Sequence, residues 1–167
     1  EYFTSTGDYP TSYRVKDRPG KNVRKNDPWF IPLEVLYSTS KIWLKTPTRD
    51  NGPLGWSSNA TLKKYLQYRP LDEEDIDVFY DELEMYWTAL FKTLPELGEE
   101  HLPEFRKHNS DDGPDMLYFW PIGLEILIHE ARSLLTLKLS DPDKPTPTKC
   151  EKILQPFTEI DWEMHNA

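Results

Sequence analysis

The chain has little cysteine and no long apolar run. Its one cysteine, Cys150, excludes an intrachain disulfide and a cysteine-based metal site, and reads as an ordinary cytosolic thiol. No apolar run reaches the roughly 18 residues of a membrane span, so no membrane partner is expected. The four histidines, His101, His108, His129 and His165, form no H-x-x-x-H pair and share no ligand spacing. No G-x-x-x-x-G-K-[ST], G-x-G-x-x-G or G-x-S-x-G run occurs, which leaves phosphate cradles and nucleophile elbows without support. No metal and no cofactor are therefore expected. The chain begins Glu1-Tyr2-Phe3 with no basic n-region or apolar h-region. That reads as a piece of a longer polypeptide with no signal peptide and a cytoplasmic location.

What is present suits one domain. A length of 167 residues can enclose a sizeable core, and six Trp, nine Tyr and seven Phe supply large side chains for it. The net charge of −9 is unevenly spread. Residues 1–69 carry 12 Lys and Arg against 6 Asp and Glu, a net of +6; residues 70–167 carry 8 against 23, a net of −15. Binding of nucleic acid over the whole surface is excluded by this balance. A basic arm on an acidic body is not.

The spacing of apolar residues predicts an all-α or mainly α fold: an irregular helical domain with two long amphipathic helices and long loops. Residues 1–26 are rich in Gly, Pro, Ser, Thr, Asn and Asp and read as a basic arm or loop, with the helical domain over 27–167. Asp27-Pro28 has the form of a helix start, while Pro32 moves the start nearer residue 32. Residues 46–57 read as a loop, and Ser58 or Asn59 can cap a short helix ended by Arg69-Pro70.

The strongest periodicity runs from Asp72 to Leu94. Ile76, Phe79, Tyr80, Leu83, Tyr86, Trp87, Leu90, Phe91 and Leu94 follow in steps of three and four. Acids crowd its first turn, and Pro95 stops it. A helical turn at 102–107 and a loop at 109–115 come next. Met116–Trp120 reads as an extended apolar run. Pro121 then opens a second long helix to Leu139, whose wider apolar face suggests a more central place. Residues 140–147 read as a linker, and Thr148 as the cap of a last short helix through Leu154.

Two polar groupings invite a functional reading. His129 and Glu130 are adjacent on the second long helix, but no nucleophile or substrate partner accompanies them, so they read as a partly buried pair at a helix contact. The acids from Asp72 to Glu84 read as a solvated face opposite the apolar stripe. The arm differs from both. Arg14, Lys16, Arg18, Lys21, Arg24 and Lys25 place six cations in twelve residues, after Tyr9 and Tyr13. Such a segment can neutralise phosphates while the tyrosines stack on bases, but charge density alone favours a basic loop that packs on the acidic body.

Two segments stand out as ordered junctions. In Phe119-Trp120-Pro121-Ile122-Gly123-Leu124, Pro121 presets the helix start and Gly123 allows close packing. Phe119 and Ile122 can flank that start as a staple. In Ile160-Asp161-Trp162-Glu163-Met164-His165-Asn166, Asp161 can accept from backbone N–H groups and Trp162 can anchor the turn in the core.

These two runs resemble the C-terminal part of the DNA sulfur modification protein DndB and related DGQHR-domain proteins. That family shows an F-R-P-[IV]-G-[LQ] run at the start of a helix and a later I-D-W-x-x-x-N run. Trp120 stands here where Arg is usual, and the likeness covers roughly residues 30–167. The namesake D-G-Q-H-R motif is absent; in the family it belongs to an N-terminal, ParB-like domain. The resemblance implies a non-enzymatic helical module tied to bacterial DNA modification or defence, with transcriptional regulation as one role. The motif residues Phe119, Pro121, Gly123, Asp161, Trp162 and Asn166 are expected to be structural. The arm is expected to contact DNA, and the helices a partner protein or a second copy. Two other readings remain: an interaction or oligomerisation scaffold without nucleic-acid contact, and a fragment of a nuclease or NTPase.

Overall fold

Steps of three and four between apolar residues become helices wherever the chain is described. The computed structural model describes residues 15–16, 31–44, 73–98, 115–139 and 145–164. Four helices dominate it: α1 (Leu33–Leu44), α2 (Glu73–Thr93), α3 (Pro121–Lys138) and α4 (Pro147–Leu154). The fold is mainly α, with two long helices, as the periodicity predicts. The expected helix at 58–69, the turn at 102–107 and most of the 109–115 loop lie outside the described residues.

Each start and stop has a local cause. Ahead of α1, Ile31–Pro32 (β2) pairs in parallel with Val15–Lys16 (β1), Val15 opposite Ile31 and Lys16 opposite Pro32. This two-residue ladder ties part of the segment read as an arm to the root of α1. Helix α2 runs within one residue of its predicted bounds. Pro95 has no N–H to continue it, and the chain tightens into a 3-10 turn over Pro95–Gly98. Helix α3 starts at Pro121 as expected.

Two starts differ from the sequence reading. Met116 and Trp120 are extended, but Leu117–Phe119 between them form a 3-10 turn. The cap of α4 is Thr146, whose hydroxyl accepts from the Lys149 N–H at 3.3 Å. Pro147 takes the first helical position, the place where its missing N–H costs nothing. Thr148 sits one residue too late to cap it.

The helices form a ring. The backbones of α2 and α3 each pack on both α1 and α4, and much less on each other. Helix α1 buries Val35, Leu36, Thr39, Ile42 and Trp43. Trp43 stacks on Tyr86 at 5.1 Å and meets Trp87 edge-on at 6.4 Å, which locks α1 to α2. Leu124, Leu127, Ile128, Ala131 and Leu135 of α3 join Cys150 and Leu154 of α4 in the same core. Burying one such large side chain stabilises the fold by about 1.5–3 kcal/mol. The buried Thr39 hydroxyl is satisfied by the Val35 and Leu36 carbonyls at 2.8 and 3.1 Å.

The apolar face of α3 is narrower than its composition suggests. Ile122, Ile126 and Leu137 are 64, 48 and 75% exposed. They lie on the side turned away from the ring. Apolar content alone does not separate a broad buried face from a buried stripe with an exposed apolar one.

Candidate functional site

The two segments singled out in the sequence meet in space. Met116 and Glu163 form an isolated antiparallel bridge. The Leu117 N–H donates to the Trp162 carbonyl at 2.8 Å, and the Met164 N–H to the Asp115 carbonyl at 2.8 Å. The first segment thus sits beside the second immediately before α3 begins.

Residue by residue, the junction is built for packing. Phe119 is buried in the core. Ile122 is not its staple partner, because it points to solvent; Phe119 instead packs on Tyr118, ring centroids 5.2 Å apart. Gly123 is buried, and a Cβ placed on it would strike the Leu117 carbonyl oxygen and come within 2.7 Å of the Leu117 Cγ. The glycine is required by that close approach of the 3-10 turn to the first turn of α3. Asp161 accepts from the Glu163 N–H at 3.0 Å and holds the turn. Trp162 donates its indole N–H to the Phe157 carbonyl at 2.9 Å, stacks on the Phe157 ring at 6.0 Å and meets Tyr118 edge-on at 5.8 Å. Asn166 lies outside the described residues.

Trp120 has a distinct part. Its indole N–H donates to the Asp115 Oδ1 at 2.7 Å, while the Asp115 carbonyl accepts from Met164. Trp120 therefore supplies a donor to a buried carboxylate at the junction.

Beside the junction lies a groove of about 340 Å³, between the end of α2 and the turn at 157–163. Tyr118 and Trp162 form aromatic wall, Ile160 an exposed apolar edge, and Glu96, Asp161 and Glu163 the polar rim. Burial raises the Tyr118 pKa well above the usual phenol range, and the neighbouring, hydrogen-bonded Glu96 carboxylate raises it further. That phenol stays protonated and donates to Glu96.

The other polar candidates are dispersed. His129 and Glu130 are both exposed, so they are not a partly buried pair at a helix contact. Neither lines the groove. Of the acids on α2, Asp77 and Asp81 face solvent, but Glu82 is buried and accepts from the Tyr86 hydroxyl at 3.2 Å. The helical period brings Glu82 round beside Leu83 and Tyr86, which a simple outer-face reading overlooks. Across the ring, Arg132 of α3 lies near Tyr86, and burial lowers its pKa. Among the described residues, no group of three or more His, Cys, Asp or Glu is placed to hold a metal ion.

Of the six arm cations, Lys16 lies in β1, and Arg14, Arg18, Lys21, Arg24 and Lys25 lie outside the described residues. No helix among the described residues is long and apolar enough to cross a membrane. No protein-family model, no curated protein and no solved structure matches the chain.

Proposed function

We propose that the chain is a non-enzymatic helical binding module of a DndB/DGQHR-like protein, serving bacterial DNA modification or defence by holding DNA or a partner protein. The observation that carries this reading is how the motif residues are used. Phe119, Gly123, Asp161 and Trp162 are all engaged in packing or turn formation at one junction. Phosphate contact is left to other parts of the chain. The densest cation cluster, Arg14 to Lys25, supplies phosphate contacts, and transcriptional regulation is one use of such binding. A salt titration of duplex DNA binding tests it. Affinity should fall as salt rises, and the triple Lys21, Arg24 and Lys25 to Ala variant should bind more weakly with a shallower salt slope. Undetectable binding at low salt, or an unaffected triple variant, overturns the DNA reading.

A second reading, an interaction or oligomerisation scaffold without nucleic-acid contact, is favoured by the exposed apolar side chains. Leu33 and Tyr37 of α1 are exposed, as are Ile122 and Ile126 of α3. The two helices are linked there by the Ser38 hydroxyl donating to Glu125 at 3.0 Å. Exposed large apolar and aromatic side chains on packed neighbouring helices suit a protein interface. Sedimentation across protein concentration discriminates: a strict monomer at every concentration removes self-association.

A further inference from the structure

The geometry points to the groove beside the Met116–Glu163 bridge as a docking site for a Lys- or Arg-bearing peptide segment of a partner protein. The inference rests on the reading of the chain as a binding module and names the chemistry of one partner.

Charge sets the choice of occupant. Glu96, Asp161 and Glu163 contribute three carboxylates to the groove, and no Lys, Arg or His is among the described residues that line it. Thr93 and Leu94 bring the C-terminal end of α2 to the same place. The carbonyl end of a helix carries partial negative charge, which adds to that of the carboxylates. A phosphate backbone is repelled from such a surface, and a cation is drawn to it.

The apolar lining narrows the class further. Ile160 is exposed at the groove edge, with Met116 and Trp162 beside it. A simple hydrated metal ion has no use for that surface. A lysine or arginine side chain does: its methylene stem lies on apolar groups while its head reaches carboxylates. The walls are fixed by the two backbone bonds of the junction and by the Trp162 stack on Phe157, so the groove exists before a ligand arrives.

The probe is a labelled synthetic peptide in which Lys and Arg alternate with Gly and Ser, titrated at low salt into the full 167-residue chain. Its control is the same peptide with every Lys and Arg replaced by Gln. The cationic peptide should bind and the control should not. Asp161→Asn and Glu163→Gln, both at exposed positions, should each weaken binding by about fivefold. Glu130→Gln, on an exposed part of α3 outside the groove, should leave it unchanged. Unchanged thermal melting of the variants removes misfolding as the cause. No binding by the cationic peptide, or equal weakening by Glu130→Gln, overturns the proposal. Loss of the groove site with DNA binding by the arm retained leaves the broader reading standing.

Discussion

The Leu117 N–H donates to the Trp162 carbonyl at 2.8 Å, joining two segments that lie far apart in sequence. The bond places the turn before α3 in register with the turn after α4. The Met164 N–H adds a second bond to the Asp115 carbonyl at 2.8 Å, on the other side of the Met116–Glu163 bridge. One junction thus fixes how α3 starts and where the C-terminal segment lies.

Trp162 is the side chain that this junction depends on most. It fills core space, stacks on Phe157 and donates to the Phe157 carbonyl at 2.9 Å. Trp162→Ala should destabilise the chain by about 3–5 kcal/mol, read as a lower urea midpoint. Trp162→Phe keeps a ring but drops the donor and should cost about 1–2 kcal/mol. In the Phe variant, amide exchange at Leu117 and Met164 should accelerate more than at the centre of α2. Uniform acceleration at all these sites would show that Trp162 supports only global packing.

Trp120 holds the start of the junction through a single side-chain bond. Its indole N–H reaches the Asp115 Oδ1 at 2.7 Å, and Asp115 is buried. Arginine also presents N–H donors, so Trp120→Arg can keep a bond to the carboxylate. Trp120→Phe cannot, and should cost about 1–3 kcal/mol through loss of that donor. Thermal melts at neutral pH should therefore rank wild type and Trp120→Arg above Trp120→Phe. A Phe variant as stable as wild type would mean that the bond contributes nothing.

Gly123 has no room for a side chain. A Cβ there meets backbone of Leu117, which the 3-10 turn and the bond to Trp162 hold in place. Gly123→Ala should cost about 1–3 kcal/mol by overpacking, although alanine is the better helix former. A stabilised Ala variant in urea unfolding would show that the turn moves aside freely.

Much of the helical scaffold was legible because its signals are local. The stripe from Leu83 to Leu94 and the Pro121 start are written in spacing and in the chemistry of proline, and α2 and α3 follow them. Gly123 and Trp162 were legible as packing devices for the same reason. What sequence could not reveal depends on distance in space. The meeting of residues 115–117 with 162–164, the burial of Glu82 and the exposure of Ile122 are set by partners remote in the chain. Thr146 was hidden by a choice between neighbours: two threonines flank Pro147, and only the first lies where its hydroxyl meets the Lys149 N–H. The groove had no signal of its own, since its wall and rim come from three separated stretches.

Cys150 links the core to pH. Its thiol is fully buried in the packing of α4. Burial raises its pKa from 9.0 to about 11, with nearby Lys149 pulling partly back. A thiol with a raised folded pKa stabilises the fold fully below its unfolded value. As pH climbs past 9.0, the unfolded chain loses this proton first, and the thiol's contribution declines until the folded pKa of about 11 is reached. The decline amounts to about 2–3 kcal/mol. Cys150→Ser is an unsuitable comparison, because it buries a hydroxyl; Cys150→Ala removes the titration with a modest cavity. Urea midpoints from pH 8 to 10.5 should therefore fall more steeply for wild type than for Cys150→Ala. A thiol reagent at pH 8 should label native protein slowly and urea-unfolded protein fast. Parallel pH profiles for the two proteins, together with fast native labelling, would place Cys150 in contact with water.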